Sequence, residues 1–456
     1  MKRKLLAVLV LAAVLLAGCG ARGLEYITVG EETYPADIQQ LDLRDKAITA
    51  AEYEQLRAAL PECEILWNLS FQGLSLPMDT EELEVNALTT EGLDDLCYLQ
   101  NLNRITIGTC PEMDVLAALN AVLPDCQVSY NVTIGSQTLP MDITAAELSA
   151  GELGEALERI AYLPALTEVT VTDAVTDLEA MAALKEAYPK VSFRFTFLLF
   201  DVELSSDAAE VDLSGIEMES VDAVEAALPL FSGLERLILC DTGLPSEELD
   251  AMWKRHPETR VIWNVKVGYS WLRTDTTTLM PFKLGYDGLE GVEMKDKDMT
   301  EVKYLTDMVC MDLGHQGMTN IEFVRYMPNL KYLIIADTPV TDLSPLGELK
   351  NLEYLEAFLN GITDISPLAG CTGLRDLNLC YNDITDISPL LELPNLENIW
   401  LSSNWGLTDE QRQQVKDTFP EAKIVFMTKS STGEGWRDLP RYYEQRNLLG
   451  MGYMVG

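Results

Sequence analysis

The stretch LRDLNLCYNDITDISPL, residues 374–390, indicates the fold because it belongs to a repeat of 22 residues. Four copies of the repeat begin at leucines spaced 22 residues apart, namely Leu330, Leu352, Leu374 and Leu396. They follow the pattern L-x-x-L-x-L-x-x-N, with replacements at single positions. A fixed period of this length predicts a solenoid, in which each repeat buries its apolar face against its neighbours.

Each position of the repeat has a predicted place. Because side chains alternate across a strand, positions 4 and 6 should fill the core, while positions 3 and 5 should project from the concave face. Position 9 is occupied by Asn360, Asn382 and Asn404, where a buried amide pairs with backbone groups of the turning chain. Ser-Pro pairs such as Ser366-Pro367 predict a short convex helical turn with serine as its N-cap.

A longer unit fills residues 24–288. Its mark is a proline followed by alternating apolar residues, which predicts a strand with one buried face. Four such prolines are spaced by 63, 65 and 68 residues: Pro61, Pro124, Pro189 and Pro257. Residues 49–60 have a helical pattern, with Thr49 and Glu52 as a capping box. Glycines such as Gly73 predict hairpins after the alternating runs.

The 22-residue copies resemble internalin-type bacterial leucine-rich repeats over residues 308–408. They share the repeat period, the asparagine at position 9 and the D-[IL]-S-P-L segment that follows it. The resemblance implies an α/β leucine-rich-repeat solenoid, with short parallel strands on the concave face and helices or 3-10 turns on the convex face. Extra β-hairpins are expected between the N-terminal modules. The predicted segments are a signal peptide at 1–18, a lipidated N-terminus at 19–23, degenerate modules at 24–288, internalin-like repeats at 289–426, and a C-terminal cap or tail at 427–456.

The N-terminus has the features of an export signal. Lys2, Arg3 and Lys4 precede an apolar run at residues 5–16 that is too short for a comfortable membrane span. The following Leu-Ala-Gly-Cys resembles a bacterial lipobox, which implies cleavage before Cys19 and attachment of lipid to its thiol. The alternative is an ordinary secretory signal. We therefore expect an extracytoplasmic surface lipoprotein, anchored to the membrane by lipid at the cell surface or in the envelope.

Charge and cysteine usage narrow the possible partners. The chain carries 73 acidic and 33 basic residues, a formal net charge of −40. This balance argues against nucleic acid, which requires basic patches, and against lying flat on anionic lipid. The eight cysteines after Cys19 show no CxxC spacing, so no metal site is predicted, while disulfides are left open.

The sequence offers little for catalysis. It contains two histidines, His256 and His315, and no phosphate-cradling glycine loop or GxSxG motif. His315 is expected to lack an acid or nucleophile at a matching repeat position. We therefore predict a non-enzymatic protein without a cofactor.

The predicted binding site is the concave stripe of the C-terminal repeats. Exposed aromatic residues beside carboxylates and amides are typical of binding surfaces. The predicted ligand-binding residues are Tyr332, Tyr354, Glu356, Phe358, Asp376, Asn378, Tyr381 and Trp400. The expected ligand is an extracellular protein or peptide, as in adhesion or host interaction. The alternatives are a glycan, or a structural envelope protein without a specific ligand.

The last 30 residues differ from the repeats. Residues 427–456 combine four basic residues, Lys429, Arg437, Arg441 and Arg446, with several aromatic residues. Our preferred interpretation is a cap over the open apolar face of the last coil. The alternative is a basic-aromatic docking segment.

Overall fold

The computed structural model describes residues 26–29, 32–46, 48–281 and 293–451. The signal peptide, Cys19 and the predicted boundary at 288/289 lie outside these residues. The chain divides into two compact units, residues 1–198 and residues 199–456, which are described separately. Within the described ranges, no helix is both long enough and apolar enough to cross a membrane.

The first unit alternates short strands with helices. Its helices are α1 Ala50–Ala59, α2 Met113–Val122, α3 Leu153–Arg159 and α4 Leu178–Ala187. Its strands are β1 Tyr26–Val29, β2 Glu32–Pro35, β3 Gln40–Asp42, β4 Glu64–Leu66, β5 Asn68–Phe71, β6 Leu74–Pro77, β7 Glu82–Val85, β8 Arg104–Ile107, β9 Gln127–Ile134, β10 Gln137–Pro140, β11 Ala145–Leu148, β12 Glu168–Val171, β13 Ser192–Arg194 and β14 Thr196–Leu199.

Parallel pairing and hairpins alternate in this unit. The parallel pairs are β3 with β4, β7 with β8, β8 with β9, β11 with β12, and β12 with β13. The antiparallel pairs β1–β2, β5–β6 and β9–β10 are the hairpins predicted between modules. Gln72 and Gly73 link β5 to β6 with φ values of 46° and 83°, as a tight hairpin turn requires.

The predicted capping box of α1 is confirmed. The side chain of Thr49 accepts the N–H of Glu52 at 3.2 Å, while the Glu52 carboxylate accepts the N–H of Thr49 at 2.7 Å. Both bonds satisfy backbone donors that have no partner inside the helix, so the helix begins where the sequence indicates.

The second unit contains one long parallel sheet. Its helices are α5 Asp222–Ala227, α6 Ser246–Arg255, α7 Asp409–Thr418 and α8 Pro440–Leu448. Its strands are β15 Val202–Ser205, β16 Glu210–Asp212, β17 Arg236–Ile238, β18 Arg260–Ile262, β19 Asn264–Val267, β20 Ser270–Arg273, β21 Thr278–Leu279, β22 Cys310–Asp312, β23 Tyr332–Ile334, β24 Tyr354–Glu356, β25 Asp376–Asn378, β26 Asn398–Trp400 and β27 Lys423–Val425. Strands β16–β18 pair in parallel, β19 and β20 form a hairpin, and β21–β27 form a seven-stranded parallel sheet.

The register of this sheet follows the 22-residue period. Leu333 pairs with Leu355 and Leu355 with Leu377, so equivalent positions stack on each other. These leucines, like Leu374 and Leu379 beside them, are fully buried. The leucine-rich-repeat solenoid expected from the sequence is therefore confirmed, with apolar burial between consecutive coils as its main stabilisation.

Buried asparagines join one coil to the next. The Oδ1 atom of Asn382 accepts the N–H groups of Asn360 and Ile362 at 3.1 and 3.0 Å. Its Nδ2 atom donates to the carbonyls of Ala357 and Leu379 at 2.8 and 3.1 Å. The other two predicted asparagines bind backbone groups in the same manner. One side chain thus satisfies several buried backbone groups of the turn.

The Ser-Pro pairs begin 3-10 turns on the convex side, but serine is not the capping residue. The turns span Ser344–Leu346, Ser366–Gly370 and Ser388–Glu392. In each, the aspartate two residues earlier accepts the serine N–H, as Asp364 does from Ser366 at 2.8 Å. Aspartate prevails because its side chain reaches the backbone two residues on, while serine already lies inside the turn.

Replacing Gly370 with alanine is expected to lower stability by about 1–3 kcal/mol, the usual cost of overpacking. An added Cβ would overlap the carbonyl oxygen of Gly347, in the neighbouring convex turn. The turns would have to separate, which disturbs the coil spacing set by the sheet. Thermal unfolding measures the change. Gly233→Ala is the control, because nothing lies within 4 Å of its Cβ position; equal melting temperatures would contradict the prediction.

Candidate functional site

The predicted binding residues share one face of the long sheet. We call this face, formed by positions 3 and 5 of β22–β26, the concave groove. Along it, Tyr332 pairs with Tyr354 and Tyr354 with Asp376. Glu356 pairs with Asn378, and Asn378 pairs in turn with Trp400. The parallel register therefore brings residues 22 positions apart into two adjacent rows.

The expectation that these side chains are exposed is wrong. Seven of them are buried: Tyr332, Tyr354, Glu356, Phe358, Asp376, Asn378 and Trp400. Tyr381 is partly buried against the same cluster. The reason is that residues 427–451, which we call the C-terminal segment, lie across the concave groove and contact it along its length. Whether these residues bind a partner stays a prediction.

Trp436 anchors the C-terminal segment. Its ring is fully buried, with centroids 5.1 Å from Trp400 and 5.3 Å from Tyr354. Its Nε1 atom donates to the Glu356 carboxylate at 2.8 Å, and the Tyr354 hydroxyl also donates to that carboxylate. The tryptophan therefore combines a large apolar contact with a satisfied polar atom.

The groove also holds the backbone ahead of Trp436. Asn378 donates its Nδ2 hydrogen to the carbonyl of Ser431 at 2.9 Å. Trp400 donates its indole N–H to the carbonyl of Gly433 at 2.9 Å. These two bonds recognise main chain, so they would be available to any peptide that follows the same path.

Helix α8 continues across the groove towards the first repeats. Pro440 at its first position suits a helix start, where a missing N–H has no cost. Arg441 donates one Nη to Asp376 at 2.9 Å and the other to Glu397 at 2.8 Å. One turn later, Glu444 accepts the hydroxyl of Tyr332 at 2.7 Å. The helix thus contacts the groove through polar side chains, while Leu449, just after its end, packs into the apolar cluster.

Buried carboxyl groups lie under the segment. Loss of solvent raises the pKa of Asp312, Glu356 and Asp376, and this effect outweighs the nearby arginines. Arginines of the C-terminal segment oppose this effect: Arg446 acts on Asp312, together with His315, while Arg437 acts on Glu356 and Arg441 on Asp376. Each of the three acids therefore experiences the positive charge of one arginine of the segment.

The preferred interpretation, that the C-terminal tail caps the last coil, is wrong about where the tail lies. The contacts of Trp436, Arg441 and Glu444 lie along the concave groove, not over the open face of the last coil. The alternative, a basic-aromatic docking segment, describes these contacts better, although the surface on which the segment docks is its own chain.

Sequence reasoning missed a row of charges beside the groove. Lys331, Glu353, Arg375 and Glu397 occupy position 2 of successive repeats and alternate in sign. Lys331 approaches Glu353 at 3.3 Å and Arg375 approaches Glu397 at 2.5 Å. Arg441 of the C-terminal segment reaches this row at Glu397, so the alternation at a 22-residue spacing was a usable signal.

His315 has an acidic neighbour, contrary to the expectation. Its Nδ1 atom lies 2.8 Å from the carboxylate of Asp337, which occupies the equivalent left-handed position one repeat later. Both side chains are largely exposed, so this contact adds little stability.

Docking of the C-terminal segment is expected to weaken as pH rises. Because burial raises the pKa values of Asp312, Glu356 and Asp376, the docked state binds more protons than a released, hydrated state at pH values between the ordinary carboxyl pKa and the raised ones. Above the raised values these acids are ionised in both states. This stabilisation is fully present below the ordinary carboxyl pKa of about 4 and is lost as pH rises through the raised values.

Hydrogen exchange of the α8 amides, corrected for intrinsic rates, measures this pH dependence. The variant Glu356→Gln keeps an acceptor for Trp436 but cannot ionise, so it should show a weaker dependence. Protection that increases with pH would contradict the prediction.

A comparison with known protein families identifies part of the repeat region. A family model described as leucine-rich repeats in two copies matches residues 328–370. A comparison with curated proteins finds no match.

Similar solved structures are also repeat proteins. Internalin C2 of Listeria monocytogenes is 20% identical over 61% of this chain and 91% of that chain, with a TM-score of 0.27. A second Listeria internalin, inlF, is 16% identical over 84% of this chain and 89% of that one, with a TM-score of 0.26. A Leptospira interrogans leucine-rich-repeat protein is 16% identical over 86% and 90%, with a TM-score of 0.26.

Proposed function

We propose that this chain is a surface lipoprotein, anchored through Cys19, whose leucine-rich-repeat solenoid binds a protein or peptide partner in the concave groove. One observation carries the proposal: the groove already holds a polypeptide, its own C-terminal segment, through a buried tryptophan and a paired arginine. Solenoids commonly present such concave surfaces to partners. The anchoring rests on the lipobox sequence alone.

The chemistry of the groove suits peptide recognition. Tryptophan, tyrosine and arginine dominate the energetic centres of protein interfaces, and all three types meet where Trp436 and Arg441 contact the groove. Asn378 and Trp400 add bonds to backbone carbonyls. A partner using this surface must displace the C-terminal segment, so its apparent affinity depends on how often the groove is open.

Binding to a panel of extracellular proteins and peptides tests the proposal. Partner affinity should rise in Arg441→Ala, because the competing segment is held less tightly. It should fall again when Asn378→Ala is added, because the amide that holds a backbone carbonyl is lost. Lys429→Ala, an exposed position of the same segment, is the matched control. A partner that binds all four chains equally would contradict a site in the groove.

A second candidate function, glycan binding, is favoured by two clefts outside the concave groove. The clefts adjoin each other, have volumes of about 560 and about 480 Å³, and are bordered by helix α6 and the 3-10 turn Val302–Tyr304. Trp271 and Tyr326 line them with 61% and 56% of their surface exposed. Aromatic faces beside lysines and carboxylates suit a polyhydroxylated ligand, and exposed aromatic patches commonly mark binding sites.

The double variant Trp271→Ala/Tyr326→Ala separates the two candidates. It should abolish glycan binding on an array and leave binding in the concave groove unchanged. A glycan signal that responds to Arg441→Ala instead would assign the sugar to the groove.

A further inference from the structure

We infer that the concave groove selects a segment with an aromatic residue ahead of a helix and an arginine five positions later inside that helix, and that the C-terminal segment is a weaker, displaceable occupant of this site. The inference rests on the proposed function, because it names the partner chemistry of the same groove. It is carried by three observations: the spacing of the two anchors, the charge of the groove, and two buried polar atoms without partners.

The spacing of the anchors follows from the groove. Trp436 fills the space between Tyr354 and Trp400, while Arg441, five positions later, bridges Asp376 and Glu397. The two anchors lie on either side of the start of α8 at Pro440, so the segment must turn into a helix between them. A ligand that reproduces both contacts therefore needs the same spacing.

The charge of the groove favours a basic ligand. The carboxylates of Glu353, Glu356, Asp376 and Glu397 all lie within 4.0 Å of a nitrogen atom of the C-terminal segment. The chain as a whole has a net charge of −40, which attracts cationic partners at long range. Complementary charge thus selects a basic-aromatic segment and disfavours an acidic one.

The C-terminal segment satisfies the groove incompletely. Arg441 divides its two amino groups between Asp376 and Glu397, and Asn398 donates to the same Asp376 oxygen that Arg441 uses. The other Asp376 oxygen, Oδ2, is buried without a partner, and so is Oε1 of Gln445 in α8. Unpaired buried polar atoms weaken association. A ligand that donates to Asp376 Oδ2, and that has no orphaned carbonyl at the position of Gln445, should bind more tightly.

A native cysteine reports whether the groove is covered. Cys310 is fully buried, and its Sγ atom lies 3.8 Å from the backbone carbonyl of Gln445. Burial also raises the pKa of its thiol well above the ordinary value, which suppresses alkylation. Cys371 is equally buried, but its thiol bonds to the carbonyl of Leu346 at 3.1 Å within the repeats. Cys371 is therefore the internal control.

The experiment measures alkylation of both cysteines by iodoacetamide in the full chain carrying Arg441→Ala. Cys310 should react faster than in the wild type, while Cys371 should not. A synthetic peptide with the sequence of residues 427–451, added in trans, should slow the reaction of Cys310 by roughly tenfold at a concentration of about ten times its Kd. The same peptide with Trp436→Ala should fail to protect. The peptide with Gln445→Met, which removes the orphaned carbonyl, should protect at roughly tenfold lower concentration.

The outcomes separate this inference from the proposed function. If Cys310 stays protected in both Arg441→Ala and Trp436→Ala, the segment is not displaceable and the inference is overturned. If Cys310 opens but no form of the peptide protects it, the partner chemistry is wrong, although a panel partner that protects Cys310 would still support the proposed function. Faster reaction of Cys371 would indicate unfolding, and the milder Arg441→Lys variant then provides the same comparison.

Discussion

Replacing Arg441 with alanine is expected to release α8 from the concave groove. The Arg441 side chain is 16% exposed, and its partner Asp376 is fully buried. Removing one member of a buried ion pair leaves the other charge unpaired, which commonly costs about 3–5 kcal/mol. Because the released groove can rehydrate Asp376, this cost opposes docking and leaves the solenoid itself folded. Amide hydrogen exchange in residues 440–449 should therefore rise by orders of magnitude.

The control for this variant is Lys429→Ala, which removes a positive charge from an exposed position of the same segment. Exchange in the strands β23–β26 should remain slow in both variants. Unchanged protection of α8 in Arg441→Ala would show that apolar burial of Trp436 alone holds the segment, and the ion pairs would then contribute little to docking.

The largest loss of stability is expected for Asn382→Ala. The amide of Asn382 accepts two backbone N–H groups, and its Nδ2 atom lies within hydrogen-bond distance of three backbone carbonyls, all in the buried turns. Alanine would leave these groups without partners, and each unsatisfied buried group costs about 1–3 kcal/mol. With partial relaxation, we expect a total loss of about 3–5 kcal/mol, since values above this are exceptional for one substitution.

The comparison for this prediction is Asn395→Ala. Asn395 also bonds to a backbone carbonyl, that of Thr372 at 2.9 Å, but it does so at the surface, where water can replace it. Chemical denaturation of the two variants should therefore differ by several kcal/mol. If Asn382→Ala unfolds at the same denaturant concentration as Asn395→Ala, buried water must satisfy the turns and the asparagine is dispensable.

The repeats could be predicted because their signal is periodic. The leucines at Leu330, Leu352 and Leu374, and the asparagine of each turn, repeat every 22 residues. Each repeat buries its apolar residues against the adjacent repeats, so the local sequence pattern directly indicates which residues are packed in the core. The capping box of Thr49 was predictable for a similar reason, since both of its bonds are made within four residues.

The burial of the candidate site under the C-terminal segment could not be predicted in the same way. The sequence placed Tyr354, Glu356 and Trp400 on one face, and the register of the sheet agrees. It did not indicate that Trp436 would cover them, because this contact joins residues 80 positions apart in the chain. No periodic pattern connects the two segments, so only their packing reveals the contact.

The coil length, the inward leucines, the asparagine positions and the face on which polar and aromatic side chains gather all follow from the repeat pattern. These features depend on contacts between adjacent repeats. The filling of the concave groove by Trp436 and Arg441, and the burial of Asp376 beneath them, depend on the packing of the whole unit. That outcome requires a non-repeating segment to fit an aromatic cavity and a set of carboxylates. This complementarity joins residues far apart in the chain, so no local spacing in the sequence predicts it.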